Sequence, residues 1–264
     1  AGNLTLEGDS NNSADSDDSI SLASGASLTA SAGSITLNAT TGGISAAGAV
    51  TLNATTGITI NDSFTSAGTT TFDSDTDNDG SGTFTLASAL SAGNNAISLT
   101  AGGLALNSTL SSGTASTTIL ASLSGATIGL GASSCGGTCG VSLTSTELGN
   151  ITAGSLTIGN TSNGAITVEG VSSTDSDQFG SLTLNATASG SSVTFENSDS
   201  TFQGLTVNAE NGITLSSNLT TNGTTSFDSD SDSDGTGDFT LAASKTLSTT
   251  NNALSLTSND IAFG

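Results

Sequence analysis

Two acidic segments carry the strongest chemical signal in this sequence. The first reads Phe-Asp-Ser-Asp-Thr-Asp-Asn-Asp-Gly-Ser-Gly-Thr-Phe from Phe72 to Phe84, and the second reads Phe-Asp-Ser-Asp-Ser-Asp-Ser-Asp-Gly-Thr-Gly-Asp-Phe from Phe227 to Phe239. Alternate carboxylates that end in Gly suit a loop that wraps a hard cation, because Gly permits the turn that returns backbone carbonyls to the ion. We therefore predict a calcium loop in each segment. The predicted ligands are Asp73, Asp75, Asp77, Asp79, Asp228, Asp230, Asp232, Asp234 and Asp238.

The two segments differ from the helix-loop-helix type of calcium site. Counted from Asp75, position 12 is Leu86 instead of a bidentate Glu, and the same position counted from Asp230 is Leu241. Asp238 adds a carboxylate in the second segment only. The alternative interpretation is a solvated acidic turn, which Asp-Gly dipeptides favour. Calcium is preferred because crowded carboxylates repel by about 1 kcal/mol per pair and the pattern occurs twice.

Cys135 and Cys139 form the other chemically distinctive pair, in the sequence Cys-Gly-Gly-Thr-Cys. They lie within the least regular stretch of the chain, residues 125–140. A metal site would need further Cys or His ligands, and a redox C-x-x-C pair has one residue fewer between its sulfurs. We therefore predict a structural disulfide, which suits an oxidising, extracellular environment.

Composition excludes most other chemistry. Lys245 is the single cation among 264 residues, against 23 acidic residues and no His, which gives a formal charge of -22. Such a chain cannot neutralise a row of phosphates, so we expect no nucleic-acid partner. It also lacks the residues for a Ser-His-Asp relay or an arginine clamp, and Lys245 alone cannot supply the basic groups that β-helix polysaccharide lyases and hydrolases use. We expect no enzyme activity.

The sequence predicts a secreted protein, located outside the cell or at the cell surface. No stretch approaches the roughly 18 to 20 consecutive apolar residues of a bilayer-spanning helix, so we expect no membrane span. A single Lys also disfavours docking onto anionic lipid. The predicted disulfide suits an extracellular location.

Asn-x-Ser/Thr triplets are frequent, and they include acceptor motifs for N-glycosylation at Asn38, Asn53, Asn185 and Asn218. Ser and Thr are so abundant in this chain that many triplets are expected by chance. Asn38, Asn53 and Asn185 recur at one position of a short repeat, and they fit a ladder of stacked Asn side chains equally well.

Many short strands must position these groups. Apolar residues alternate with Ser, Thr or Asn, and Gly, Asn and Ser clusters separate the runs at intervals of roughly 8 to 15 residues, which is the period of strands and turns. Examples of these runs are Leu4-Thr5-Leu6, Ile35-Thr36-Leu37, Val50-Thr51-Leu52 and Leu156-Thr157-Ile158. Stripes with the helical period are absent from the sequence.

An antiparallel sandwich and a solenoid both use many short strands. Aromatic residues make up only 3% of the chain and Pro is absent, while residues 34–42 and 49–57 are near-copies, which favours stacked coils with ladders of equivalent side chains. We therefore predict an all-β fold, a parallel β-solenoid (β-helix) of roughly 13 coils of about 20 residues. The two acidic loops should protrude from it.

A longer internal repeat overlies the short one. Residues 51–87 match residues 206–242 at a constant offset of 155, and residues 94–99 match residues 251–256 after a two-residue shift. The sequence therefore predicts a single solenoid domain over residues 1–264, made of two related modules at about 1–150 and 151–264.

The pattern G-x-[LI]-T-L-N-A-x-x-G-x-I, found at Gly33 to Ile44 and in part at Gly180 to Ala188, resembles the coils of filamentous-haemagglutinin-type bacterial exoproteins and related adhesins. The resemblance covers most of the chain through degenerate repeats. It implies a right-handed parallel β-helix located outside the cell, and it implies adhesion as a role.

A structural role is the functional expectation that remains. The strand-like residues near Ala1 and those from Ala253 to Gly264 predict open ladder edges, and another copy of the chain is the best-matched cover for them. We expect a calcium-stabilised subunit that joins through its termini into a filament or surface matrix. The alternative is an adhesin segment of a larger surface exoprotein that binds an unidentified surface ligand or glycan. An ice-binding face is disfavoured because Thr69-Thr70-Thr71 does not form an extended Thr-x-Thr array.

Overall fold

The computed structural model describes residues 2–9, 18–39, 41–133, 135–137 and 139–264. The fold is all-β, with 47% strand and 4% helix, and its parallel strands stack into a β-solenoid of about 10 turns. The chain divides into two compact units. Unit 1 comprises Ala1–Ser122 and Asn150–Gly154, and unit 2 comprises Leu123–Gly149 and Ser155–Gly264.

The described strands are short and follow one another closely. The first ten are β1 (Leu4–Glu7), β2 (Ser19–Leu22), β3 (Ala26–Ala30), β4 (Ile35–Asn38), β5 (Gly43–Ala46), β6 (Val50–Ala54), β7 (Gly57–Ile60), β8 (Phe64–Ser66), β9 (Thr70–Asp73) and β10 (Thr83–Leu86). The next are β11 (Leu90–Ser91), β12 (Ile97–Ala101), β13 (Gly103–Leu106), β14 (Leu110–Ser111), β15 (Ser116–Ala121), β16 (Ile128–Gly131), β17 (Val141–Leu143), helix α1 (Ser145–Gly149), β18 (Ile151–Thr152), β19 (Ser155–Ile158) and β20 (Ile166–Glu169). The last are helix α2 (Ser173–Ser176), β21 (Ser181–Ala186), β22 (Val193–Phe195), β23 (Ser200–Phe202), β24 (Gly204–Ala209), β25 (Ile213–Leu215), β26 (Leu219–Thr221), β27 (Thr225–Asp228), β28 (Phe239–Leu241), β29 (Leu247–Ser248), β30 (Leu254–Thr257) and β31 (Ile261–Phe263).

Each unit is built from three ladders of parallel strands, and successive strands of the chain pass from one ladder to the next, except that β16 and β17 pair in the same ladder. In unit 1, ladder A runs β1-β4-β7-β10-β13, ladder B runs β2-β5-β8-β11-β14-β18, and ladder C runs β3-β6-β9-β12-β15. In unit 2, ladder D runs β17-β16-β20-β22-β25-β28-β31, ladder E runs β23-β26-β29, and ladder F runs β19-β21-β24-β27-β30. The 155-residue repeat matches β7 with β25, β9 with β27 and β10 with β28, so ladder A corresponds to ladder D and ladder C to ladder F.

The coils are longer than the sequence predicted, so there are fewer of them. Paired residues in ladder C lie 24, 20, 27 and 20 positions apart, and those in ladder F lie 26, 23, 20 and 29 positions apart. The longest step of ladder C lies between β9 and β12, the longest step of ladder F lies between β27 and β30, and each of them contains an acidic segment. The chain therefore makes about 10 turns instead of roughly 13.

The near-copies at 34–42 and 49–57 do not stack on each other. The first supplies β4 in ladder A, and the second supplies β6 in ladder C. Their spacing of 15 residues is shorter than the shortest coil of ladders C and F, 20 residues, so the second copy lies on another side of the same turn. The solenoid architecture was predicted correctly, but this argument for it was wrong.

The core lies between the ladders and follows the alternation seen in the sequence. In β6, Val50, Leu52 and Ala54 are buried, while Thr51 and Asn53 are partly exposed. Phe residues are the largest side chains of this core. The fully buried ones are Phe64, Phe72, Phe84, Phe179, Phe195, Phe202, Phe227 and Phe239. Burial of each such side chain contributes about 1.5 to 3 kcal/mol.

Two short helices were not predicted from the sequence. Helix α1 has five residues and helix α2 has four, which is too short for a periodic apolar stripe. The backbone N–H of Ser172 donates to the Asp175 carboxylate at 3.2 Å at the start of α2. Neither helix in the described residues has the length and apolar character needed to cross a bilayer.

Truncation of Phe72 should destabilise unit 1. Phe72 is fully buried against Phe84 and Phe64, so Phe72→Ala leaves a cavity and should lower the free energy of unfolding by about 3 to 5 kcal/mol. Thr71→Ala, an exposed change on the same strand, should cost less than about 0.5 kcal/mol. Urea denaturation followed by circular dichroism measures both values, and equal losses in the two variants would contradict the assigned core.

Candidate metal centres

The two acidic loops leave the solenoid at equivalent corners. The first acidic loop, residues 74–82, connects β9 of ladder C to β10 of ladder A, and the second acidic loop, residues 229–238, connects β27 of ladder F to β28 of ladder D. The flanking Phe rings meet beneath each loop. The ring centroids of Phe72 and Phe84 lie 4.8 Å apart, and those of Phe227 and Phe239 lie 5.5 Å apart. The buried aromatic pairs therefore fix where each loop begins and ends.

The neck of each loop is closed by a buried Ser. The Ser74 hydroxyl donates to the Gly82 carbonyl at 3.0 Å, and the Ser229 hydroxyl donates to the Gly237 carbonyl at 3.2 Å. A Cβ atom at Gly82 would overlap the Ser74 carbonyl oxygen, and the same holds for Gly237 and Ser229. Gly is required at these positions because the two sides of the neck are in backbone contact.

The turn of the first loop brings its carboxylates to one side. Gly80 has a φ of 85°, in the left-handed region that favours Gly, and its N–H donates to Asp75 Oδ2 at 2.8 Å. In the second loop Gly235 has a φ of 87°, and its N–H donates to Asp230 Oδ2 at 3.1 Å. The two loops thus repeat the same turn 155 residues apart.

Three carboxylates converge in the first acidic loop. One oxygen from each of Asp75, Asp77 and Asp79 lies within 4.8 Å of the other two. Oxygens that bind one Ca²⁺ at about 2.4 Å are at most about 4.8 Å apart, so this cluster fits a single ion. Asp75 is fully buried, whereas Asp77 and Asp79 are exposed. Asp73 lies at the end of β9, where its Oδ1 accepts the Asp75 N–H at 3.2 Å.

The carboxylates in and beside this cluster differ in the direction in which their pKa values are changed. Local desolvation raises the pKa of Asp77, and its interactions with the neighbouring side chain of Asp75 and with the charge of Asp79 raise that pKa further. Hydrogen bonds from the hydroxyl and the backbone N–H of Ser81 lower the pKa of Asp79. Burial raises the pKa of Asp73, with a further contribution from the charge of Asp75. Desolvation in the first place, and the proximity of the carboxylates in the second, therefore make the ionised state of Asp73 and Asp77 costly.

The second acidic loop builds a different cluster, because a residue from the preceding coil enters it. Carboxylate oxygens of Glu210, Asp232 and Asp234 lie within 4.8 Å of one another. Glu210 follows β24, is only 8% exposed, and accepts the Gly190 N–H at 2.6 Å. Desolvation raises the pKa of Asp232, and the charges of Asp234 and Glu210 add to this.

Glu210 was missed by the sequence analysis, although the repeat contains a signal for it. At the offset of 155, Glu210 aligns with Thr55, so the second module has an acid where the first has a hydroxyl. Thr55 is buried and donates to the Gly33 carbonyl at 3.2 Å. Comparison of the two modules at the positions beside each acidic loop would have identified Glu210.

The remaining predicted ligands of the second loop have other contacts. Asp230 Oδ1 accepts the Asp234 N–H at 3.1 Å, and Asp238 Oδ1 accepts the Asp260 N–H at 3.2 Å. Asp238 Oδ1 also accepts from Asn259 at 3.2 Å, which directs its carboxylate toward the following coil. Asp228 pairs in register with Asn208 in ladder F. The structure thus brings together two of the five Asp residues predicted for this loop.

Asn residues stack beside the acidic loops. In ladder F, Asn185 pairs with Asn208, and the Asn208 side-chain amide donates to Asn185 Oδ1 at 2.8 Å. In ladder C, Asn53 pairs with Asp73. Asn38 lies in ladder A and does not share this position, and Thr40 of its triplet lies outside the described residues.

Asn218 is engaged in another hydrogen-bonded contact. Its backbone N–H and its side-chain amide each donate to the Asp199 carboxylate at 3.0 Å, and its Oδ1 accepts the Thr246 N–H at 2.9 Å. Glycosylation at Asn38, Asn53, Asn185 and Asn218 stays a prediction.

The structure places Cys135 and Cys139 in a disulfide, with their sulfur atoms 2.13 Å apart. The bridge closes the turn between β16 and β17, which pair in parallel. It packs on the backbone of Gly129 in β16, where a Cβ atom would meet both sulfur atoms. The bridge therefore lies against strand β16 of ladder D.

No protein-family model, curated protein or solved structure matches the chain. The parallel β-solenoid agrees with the repeat architecture implied by the resemblance to filamentous-haemagglutinin-type exoproteins, but no match assigns the chain to that family. The case for function therefore depends on the geometry of the acidic loops, the disulfide and the exposed strand edges.

Calcium should stabilise the fold less as the pH falls. Asp73 and Asp77 have a raised pKa in the folded state, so they stabilise the fold at low pH and lose this stabilisation as the pH rises through that pKa. The calcium-free loop is therefore least stable near neutral pH. Asp79 has a lowered pKa, so its contribution to the stability of the fold is lost only when the pH falls below the ordinary value of 3.8. At pH 7, saturating calcium should raise the melting temperature by roughly 5 to 10 °C.

The difference between melting temperatures with calcium and in calcium-free buffer should shrink as the pH falls from 7 toward the raised pKa values, because protons compete with the ion. Thermal melts at several pH values in both buffers test this. A difference that is constant with pH, or absent at pH 7, would contradict calcium binding by these carboxylates.

Reduction of the Cys135–Cys139 bridge should act locally. The closed loop is short, with a sequence separation of 4, so its loss should cost no more than about 2 kcal/mol. Proteolysis after reduction should cut within residues 132–140 while the remaining strands stay protected. Intact mass after alkylation of native protein reports free thiols, and two free thiols would argue against the bridge.

Proposed function

We propose that this chain is a secreted structural protein, a calcium-stabilised β-solenoid subunit that joins end to end into a filament or surface matrix. One observation carries the proposal. The last described strands present large apolar side chains to solvent: Leu254 is 47% exposed, Ile261 50% and Phe263 73%. Phe residues elsewhere in the described chain are fully buried. The apolar face formed by Leu254, Ile261 and Phe263 therefore resembles a part of the core that is exposed to solvent.

The exposed strands also retain unpaired backbone groups. Strand β31 lies at the edge of ladder D, where it pairs with β28, and β30 pairs with β27 at the edge of ladder F. A strand edge of this kind is a template for another parallel strand. Coverage by a further coil would pair the backbone groups and bury the apolar side chains together.

A second copy of the chain offers a matching strand. Strand β1 lies at the edge of ladder A, and its Leu4 and Leu6 are only half-buried. Ladders A and D correspond in the internal repeat, so β1 of one copy can continue ladder D of another, with Leu4 over Ile261 and Leu6 over Phe263. The predicted contact also named Ala1, which lies outside the described residues.

Charge sets the conditions for this association. Two chains that each carry -22 repel at low ionic strength, and the repulsion is weakened by screening and by bound divalent cations. Calcium is abundant outside cells, where protein modules bind it with dissociation constants of about 10⁻⁴ to 10⁻³ M. The disulfide and the acidic loops therefore support an extracellular location for the filament.

An adhesin segment of a larger surface protein is the alternative. It is supported by a groove of about 370 Å³ in unit 2, which is lined by Gly180, Ser181, Gln203, Gly204, Leu205, Thr206, Gly223 and Thr224. Such a groove suits a polar surface ligand or a glycan. In that protein, further coils of the same chain would cover the exposed strand edges.

The double variant Ile261→Ser/Phe263→Ser should stay monomeric under conditions in which the parent assembles, because it removes the apolar contact without changing the charge. The matched control is Leu123→Ser, which changes another exposed apolar residue, 42% exposed, away from β30 and β31. Sedimentation velocity and negative-stain microscopy with calcium present should show end-joined rods for the parent and the control.

Two results would reject the filament. One is a parent protein that stays monomeric at high concentration with calcium, and the other is a double variant that assembles like the parent. In the first case the adhesin alternative predicts that immobilised monomer still captures glycans or surface ligands through the groove, which a glycan array measures.

A further inference from the structure

Asp75 is a fully buried carboxylate, and one of its two oxygens has no hydrogen-bond partner. Its Oδ2 accepts hydrogen bonds from the Gly80 N–H at 2.8 Å and from the Ser122 hydroxyl, whereas its buried Oδ1 has no hydrogen-bond partner. An unsatisfied buried carboxylate oxygen is costly, and folded proteins rarely retain one without a compensating group. The compensating group here must be a positive charge or a donor that reaches the cluster with Asp77 and Asp79.

The protein itself supplies no such charge. Lys245 is the only Lys or Arg in the chain, there is no His, and Lys245 acts electrostatically on Asp199 in unit 2. The three clustered carboxylates of unit 1 therefore depend on solvent or on a bound cation for neutralisation. The close approach of their oxygens, within 4.8 Å, leaves a divalent ion as the most effective partner.

We propose that the first acidic loop binds one Ca²⁺ through Asp75, Asp77 and Asp79, with Asp75 Oδ1 as the buried ligand that ties the ion to the solenoid. This inference rests on the proposed calcium-stabilised function, and it specifies which loop holds the tight site and what the ion connects. In the order of a calcium loop, the three Asp occupy positions 1, 3 and 5, Gly80 occupies position 6, and the Ser81 carbonyl is at position 7. Water supplies the remaining ligands, because position 12 is the buried Leu86.

The second acidic loop lacks the feature that makes the first one depend on an ion. Asp230, the equivalent of Asp75, has both oxygens satisfied by backbone donors, from Asp234 at 3.1 Å and from Gly235 at 3.1 Å. The first residue of that loop is therefore stabilised internally. The two loops are alike in sequence, but the tighter calcium site is the first one.

The ion in the first loop also connects coils that are distant in sequence. Strand β9 precedes the loop, and Ser122 follows β15, which lies two strands farther along ladder C. Asp75 thus joins residues 47 positions apart, and the Thr76 N–H donates to the Ala54 carbonyl of the preceding coil at 3.0 Å. A ligand on Asp75 Oδ1 fixes this carboxylate, so calcium should stiffen consecutive coils of unit 1.

Calcium binding by variants of the first loop tests this assignment. Calcium titration calorimetry and native mass spectrometry, on monomer at low concentration, give the affinity and the number of ions. Asp77→Asn, an exposed change that spares the core, should weaken the tight site by at least about tenfold. Asp75→Asn should remove that ion, and the matched control Asp177→Asn, an exposed acid outside both loops, should bind like the parent.

Hydrogen exchange measured with and without calcium provides a second readout on the parent monomer. Calcium should slow exchange at the Gly80 amide and around Ser122 by about tenfold or more. The proposal would be overturned if Asp77→Asn bound calcium as well as the control Asp177→Asn does. It would also be overturned if Asp230→Asn lost the tightly bound ion while Asp77→Asn kept it. Both readouts use monomer, so failure of end-to-end assembly leaves this test intact, and failure of this test leaves the assembly assay readable.

Discussion

The in-register parallel backbone ladder is the constraint on which the rest of this structure depends. Each coil must return the chain to a position about 4.8 Å above its starting point, so every strand presents the same face to the same place on its neighbours. Side chains that alternate between Leu, Ile or Val and Ser, Thr or Asn satisfy this requirement, because one set fills the core and the other lines the surface. Small polar residues prevail at the corners, where successive coils approach closely.

Insertions are tolerated only at the corners, and the acidic loops show how. Extra residues within a strand would shift the register and turn apolar side chains outward. The additional residues of each acidic loop instead leave between two ladders, above a pair of buried Phe rings and through a neck closed by a Ser hydroxyl. Because the neck is held by the core, the first residue inside each loop is drawn into the solenoid. Asp75 is buried for this reason, and its burial leaves one carboxylate oxygen without a hydrogen-bond partner beside the exposed Asp77 and Asp79.

The excess of negative charge is the second constraint on this structure. A formal charge of -22 with a single Lys gives almost no internal compensation. Many of the acids instead accept hydrogen bonds from backbone N–H groups, as Asp75, Asp199 and Glu210 do. Where acids converge, desolvation and mutual repulsion raise the pKa of Asp73, Asp77 and Asp232. A divalent cation would relieve the same repulsion, and this is the physical basis of the proposed link between calcium, stability and association.

The sequence by itself determined the fold class and the place of the loops. Period-2 alternation, turn residues and the 155-residue repeat are local signals, and they sufficed for an all-β parallel solenoid with two acidic excursions and a closed Cys135–Cys139 turn. Tertiary structure alone decided which residues meet. The number of coils depended on how many residues each corner absorbs, and the near-copies at 34–42 and 49–57 fell on different ladders because a turn is longer than their spacing.

Glu210 belongs to the second cluster although it lies in a neighbouring coil. Asp75 and Asp230 occupy the same position of the sequence pattern, but only Asp230 has a backbone donor for each of its carboxylate oxygens. Such contacts join residues that are one or more turns apart in the chain. No short-range pattern encodes them, since they arise only once the ladder has set the register between coils.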